Sequence, residues 1–166
     1  MYCEMSVFGF ALDSIAQSPM ILLKDVEEKN TLPIWLNTVE AVTIAAELIN
    51  RDAVSGTGGK DLMSRLFEQL QVRIDRIVID GLDGTVFESY VYCIRDGAEI
   101  RIRVRPCEAV VLAMKYSLPI LVDEKVLARA SMLDISEEDE INEETAARFI
   151  NFLESLDPKD MGKYPL

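Results

Sequence analysis

Three carboxylates, Glu40, Asp61 and Glu108, are of a type that could serve a hard divalent cation in this 166-residue chain, although nothing in their spacing forces them together. Oxygen ligands suit Mg²⁺ or Mn²⁺, and such an ion activates water against a phosphodiester without help from an imidazole. That route matters because the chain contains no histidine. Ser-His and Cys-His nucleophile pairs, imidazole acid–base chemistry and His-ligated zinc are thereby excluded. Glu40 and Glu108 fit a structural role equally well, since each would stand at the third position of a helix, close to its positive end. Asp61 has the same double reading, as a metal ligand or as a helix cap.

A second set could hold a nucleic acid. Asp96-Gly97 between alternating strands signals a two-residue hairpin, because both turn residues need positive φ. That register sets Arg95 opposite Ala98, Tyr92 opposite Arg101, Tyr90 opposite Arg103 and Glu88 opposite Arg105. Ile100, Ile102 and Val104 then face the core, while Tyr90, Tyr92, Arg101, Arg103 and Arg105 share the other face. Guanidiniums for phosphate and rings for base stacking would suit a single strand of RNA or DNA. The competing reading is a solvent face or subunit interface held by cross-strand pairs.

The loop Ser55-Gly56-Thr57-Gly58-Gly59-Lys60-Asp61 is not a Walker A motif. That motif needs glycine where Val54 stands and Ser or Thr where Asp61 stands, and it follows a strand. What is left is a glycine-rich connection that brings Lys60 and Asp61 to a helix start.

Composition narrows the classes further. A net charge of −12 excludes a protein that coats nucleic acid by bulk charge, so any such contact must be local. Cys3, Cys93 and Cys107 are odd in number and lack CxxC spacing, so neither a disulfide framework nor a thiolate cluster is indicated. No apolar run approaches the ~18 residues of a membrane span, and the first twenty residues contain Glu4 and Asp13 and lack a basic n-region. A cytoplasmic protein without a membrane partner is expected.

Strands are expected at Tyr2 to Phe10, Met20 to Val26 and Leu32 to Leu36, then a helix from Val39 to Ile49, apolar nearly all round, and an amphipathic one striped by Leu62, Met63, Leu66, Phe67 and Leu70. Strands follow at Val72 to Ile79, Val86 to Ile94 and Ile100 to Val104, then a buried helix from Cys107 to Met114 and a shorter one from Asp123 to Met132. The order strand, strand, strand, helix, helix thus occurs twice. At an offset of 68 residues, the eight positions from Thr38 and from Pro106 share four identities, which points to internal duplication. Asn37 with Glu40 would form a capping box, and Pro106 suits a first helical position. After Asp134 the charge turns strongly acidic, and Ala146, Phe149, Ile150 and Leu153 mark one more amphipathic helix.

Leu32-Pro33-Ile34-Trp35-Leu36, Glu40-Ala41, Lys60-Asp61-Leu62-Met63 and above all Arg105-Pro106-Cys107-Glu108-Ala109, with Leu112-Ala113 and Leu118-Pro119-Ile120, resemble the bifunctional nuclease domain family. The resemblance runs from about Met1 to Met132. It implies an α+β fold built from a duplicated unit and an activity on RNA and DNA assigned to some members. The family reads Thr-His-Asp-Leu where this chain has Gly59-Lys60-Asp61-Leu62, and Asp-Ala-Arg-Pro-Ser-Asp-Ala where it has Arg103-Val104-Arg105-Pro106-Cys107-Glu108-Ala109. Asp61, Arg105 and Glu108 match in charge; Lys60, Arg103 and Cys107 do not.

The expectation is an α+β domain over residues 1–133, in halves of about 1–70 and 71–133, with a mainly antiparallel sheet and an acidic helical extension over 134–166. The resemblance implies hydrolysis of RNA or DNA, weak or lost here, by Asp61, Glu108, Arg105 and Lys60, and the carboxylate chemistry offers Asp61, Glu108 and Glu40 as ligands for Mg²⁺ or Mn²⁺. The alternative is a non-catalytic nucleic-acid-binding or oligomeric scaffold domain. A homodimer is expected because sheet edges need covering.

Overall fold

A computed structural model describes residues 1–13, 18–27, 29–54, 61–84, 86–130 and 143–155. Lys60, the glycine-rich loop before it and the expected boundary at Asp134 lie outside the described residues. The chain opens with a meander, β1 (Tyr2–Leu12), β2 (Pro19–Asp25) and β3 (Thr31–Trp35), followed by α1 (Thr38–Val54) and α2 (Leu62–Gln69). A second meander, β4 (Val72–Asp83), β5 (Val86–Arg95) and β6 (Ala98–Val104), leads into α3 (Pro106–Tyr116). Then come β7 (Ile120–Asp123), α4 (Glu124–Ala130) and α5 (Glu143–Ser155). All seven strands join one sheet in the order β3-β2-β1-β7-β4-β5-β6, antiparallel throughout except for the β4–β7 pair. This is an α+β fold.

The structure adds β7, which stands between α3 and α4 and has no counterpart among the described residues of the first half. Four residues after Pro119, with Ile120 and Val122 buried and Leu121 and Asp123 half-buried, are too short a run to announce a strand. Yet β7 seams the sheet. It pairs with β1 on one side, Tyr2 opposite Asp123, and with β4 on the other, Ile77 opposite Ile120.

Burial explains the local choices. Pro19 to Leu23 in β2 are all buried, so the strand reads as a continuous apolar run covered on both faces. In β5, by contrast, Phe87, Ser89, Val91 and Cys93 are buried and alternate with half-buried Glu88, Tyr90 and Tyr92. One face of that strand is core and the other is polar. The main core joins Ile21, Leu23 and Ile34 of the first meander to Ile77, Ile79 and Val91 of the second, and to Ala109, Val110 and Ala113 of α3, while Ala11, Met20 and Leu22 form a smaller cluster.

The hairpin register is as expected, with Asp96 at φ 51° and Gly97 at φ 78° closing the turn. Its two isoleucines do not face the core: Ile100 and Ile102 are 40% and 47% exposed, because β6 is the last strand of the sheet. Two further expectations need correction. The helix α1 is not buried all round, since Ala41 and Ile44 are buried but Thr43 and Ala46 are exposed. On α5, Ile150 of the expected apolar face is exposed, and Phe152 packs against the core; Ala146, Phe149 and Leu153 lie outside the described side chains.

Candidate functional site

Two helices start side by side. At the head of α1, the Asn37 side chain accepts a hydrogen bond from the Glu40 amide at 2.9 Å, and the Glu40 carboxylate accepts one from the Asn37 amide at 3.0 Å. This reciprocal capping box satisfies two amides that the helix leaves free. At the head of α3, the Glu108 carboxylate accepts from the Arg105 amide at 2.9 Å. The return bond is missing in kind, because a guanidinium has no acceptor atom. Pro106, without an amide, both ends the β6 ladder and fits the first helical turn.

Freed from capping, the Arg105 guanidinium reaches across the junction. One nitrogen lies 3.0 Å from Glu108 and another 3.9 Å from Glu40. The arginine side chain is 66% exposed while that of Glu40 is 18% exposed, so a half-buried carboxylate stands beside a cation that faces solvent. Its hydrogen bond to Glu108 raises the arginine pKa and holds the Glu108 carboxyl below the usual range. These groups rim a cleft of about 780 Å³ whose apolar walls come from Val39, Met63, Val111 and Leu112. A volume of this order is within the usual range of small-ligand sites.

Cys107 lies beneath the rim. It is 4% exposed, its sulfur is 4.0 Å from the Glu40 carbonyl oxygen, and burial with the nearby Glu40 carboxylate pushes the thiol up to about 12. It is protonated at neutral pH and is no nucleophile.

Asp61 is elsewhere. It caps α2, accepting from the Ser64 amide at 2.8 Å, and forms an ion pair with Lys115 that no sequence signal announced. These bonds lower its carboxyl to about 2. Lys115 lies seven residues beyond Glu108 on α3, about 10 Å along the axis. Phe67 packs edge-on against Tyr116 at 5.9 Å, so α2 docks by Asp61 and Phe67 while Leu62, Met63, Leu66 and Leu70 are exposed. Glu40, Asp61 and Glu108 therefore do not form one ligand set, and among the described residues no cluster of three potential metal ligands occurs. The Arg105 guanidinium bridges the two glutamates where a cation would sit. This arrangement does not fit a resident Mg²⁺ or Mn²⁺.

The tyrosine–arginine face forms with different partners from those expected. Arg101 stacks on Tyr90 at 3.5 Å and pairs with Asp80 at 2.9 Å. Arg103 takes Glu88 at 2.8 Å, the partner expected for Arg105, because β6 ends one residue before Arg105. Arg76, absent from the sequence-based set, stacks on Tyr92 at 4.2 Å and pairs with Asp75 and Glu99. Two register shifts in β4, at Asp75 and Asp80, put an extra carboxylate beside each arginine row. The expected basic patch is a lattice of balanced ion pairs.

Residues 21–134 match the family model of the bifunctional nuclease domain. The chain belongs to the bifunctional nuclease domain family. Two uncharacterised proteins from strains of Mycobacterium tuberculosis, CDC 1551 and H37Rv, are each 29% identical to it over 171 residues, covering 95% of this chain and 96% of theirs. Both helix starts and the whole cleft lie inside the bifunctional nuclease match. Within the domain, Cys107 is the buried residue under the rim, and Arg105 is the exposed one. No helix among the described residues is long and apolar enough to cross a membrane.

Proposed function

We propose that this chain binds single-stranded RNA or DNA at the cleft between the two helix starts, with phosphodiester hydrolysis weak or lost. The observation that carries the reading is Arg105: an exposed guanidinium fixed by two carboxylates at the rim of an apolar cleft. A base would rest on Val39, Met63 and Leu112, and a phosphate would meet Arg105. Family membership supports a nucleic-acid role.

The geometry argues against efficient hydrolysis. The Glu108 carboxyl is held low by Arg105, so it is ionised but a weak base. Asp61 is committed to Lys115 and to the α2 cap. Arg101, Arg103, Tyr90 and Tyr92 would serve as a secondary track, on which a phosphate must displace Asp80 or Glu88 from its arginine.

The test is fluorescence anisotropy of a short oligouridine and its DNA equivalent, paired with a cleavage assay in Mg²⁺ or Mn²⁺. Saturable binding that Arg105→Ala weakens, with little or no cleavage, is expected. Rapid metal-dependent cleavage abolished by both Asp61→Ala and Glu108→Ala would overturn the weak-or-lost part. Absence of binding in the intact protein would overturn the site.

A further inference from the structure

The outer edge of β6 is self-complementary, and this does not depend on the nucleic-acid reading. β6 ends the sheet and follows a two-residue hairpin whose closing pair is Arg95–Ala98. In such hairpins the closing pair exchanges hydrogen bonds, so the amides and carbonyls of Ala98, Ile100 and Ile102 turn toward β5. Those of Glu99, Arg101 and Arg103 therefore point to the open edge. Their side chains lie on the polar face, and the two isoleucines, 40% and 47% exposed, lie on the other.

We propose that β6 pairs antiparallel with β6 of a second copy of this chain, about a two-fold axis passing through Arg101. A two-fold axis perpendicular to the sheet keeps each face on its own side, so only registers that pair residues of like parity are allowed. Centring on Arg101 sets Ile100 against Ile102 of the second copy, and Glu99 against Arg103 of the second copy. Shifting the centre to Ile100 sets Glu99 against Arg101 and leaves Ile102 facing Ala98. Shifting it to Ile102 sets Arg101 against Arg103, like charge against like. The Arg101 register alone joins apolar to apolar and acid to base at every off-axis pair from Glu99 to Arg103.

The pair on the axis is tolerable. Each Arg101 is already neutralised by Asp80 at 2.9 Å and stacked on Tyr90. Ile100 and Ile102 would form close non-hydrogen-bonded pairs, and the unsatisfied edge amides would find partners. The interface is isologous and closed, so it stops at two copies.

Sedimentation equilibrium of the full chain at micromolar concentration should give twice the 18.7 kDa chain mass. Ile102→Lys, at an exposed position, should return the mass to one chain with an unchanged circular dichroism spectrum. The register is tested by oxidising two variants beside wild type, which reports any background from half-buried Cys3. Arg101→Cys places two thiols directly opposite, with Cα atoms ~5.5 Å apart, within disulfide reach. Glu99→Cys places them four residues apart, roughly 13 Å, beyond it. A covalent dimer from Arg101→Cys only is the expected result. A monomeric wild type, a dimer that survives Ile102→Lys, or equal cross-linking by both cysteine variants would overturn the proposal.

Discussion

At Asn37 the helix start closes on itself, its side chain and that of Glu40 each satisfying the other's amide; at Arg105 the same backbone turn is half closed, and the side chain faces solvent. One replacement at the cap position separates them. An amide side chain spends its acceptor on the helix, whereas a guanidinium cannot, and is left to bridge Glu108 and Glu40 at the mouth of a cleft. The first junction thus serves stability and the second displays charge. The contrast also shows how one carboxylate has two uses, since Glu40 caps its own helix and anchors the arginine of the other.

The largest effect that separates the two sides lies under the helices. Ile44 of α1 is fully buried, while Leu112, its partner at the 68-residue offset, is half-buried at the cleft wall. Ile44→Ala should cost about 2–5 kcal/mol in denaturant unfolding, and Leu112→Ala about 1–2 kcal/mol because less area is lost. Equal losses would show that the cleft wall is as tightly packed as the core. Next comes the closed cap: Asn37→Ala should cost about 1 kcal/mol. The open cap predicts the reverse pattern, with Arg105→Ala changing stability by less than about 0.5 kcal/mol, since the Glu108 bond goes to the Arg105 amide and survives.

A third contrast is in pH. Asp61 has its carboxyl lowered to about 2 and Lys115 has its pKa raised, each mainly by the hydrogen bond to the other. A lowered acid contributes stability that is present above its unfolded pKa and is lost as pH falls through the folded one. The raised lysine contributes below its unfolded pKa and loses it as pH rises through the folded one. The docking of α2 should therefore be complete from about pH 4 to about pH 10 and loosen below and above. Hydrogen exchange of the α2 amides across pH would show it. Asp61→Asn keeps a good cap but removes the charge on which both shifts mainly rest, so it should flatten the acid limb and weaken the alkaline one.

Much of this was legible in the sequence. Asn37 with Glu40, Pro106 with Glu108, and Asp96-Gly97 fix local geometry through bonds within a few residues, and all three elements formed as read. The misses share a different physics. The strand β7 is too short to show periodicity and exists because β1 and β4 both pair with it. The exposure of Ile100 and Ile102 depends on where β6 falls in the sheet order, which alternation along one strand does not encode. Asp61 and Lys115 are 54 residues apart in sequence, and the neutral state of the arginine face depends on two register shifts in β4. Glu40, Asp61 and Glu108 looked alike as a ligand set because helix-start carboxylates and metal ligands share composition; only the position of Arg105 between two of them tells the uses apart.

On the proposed function, a nucleic-acid strand makes its phosphate contact at the open junction, with Arg105, and the neutralised arginine face contributes less. Oligouridine binding measured across a salt series for wild type, Arg105→Ala and Arg103→Ala tests it most directly. Loss of one phosphate contact on a single strand should reduce the slope of log affinity against log salt by about 0.7. Arg105→Ala should show that reduction together with weaker binding, and Arg103→Ala should stay close to wild type. A wild-type curve from Arg105→Ala, with the loss appearing in Arg103→Ala instead, would contradict it.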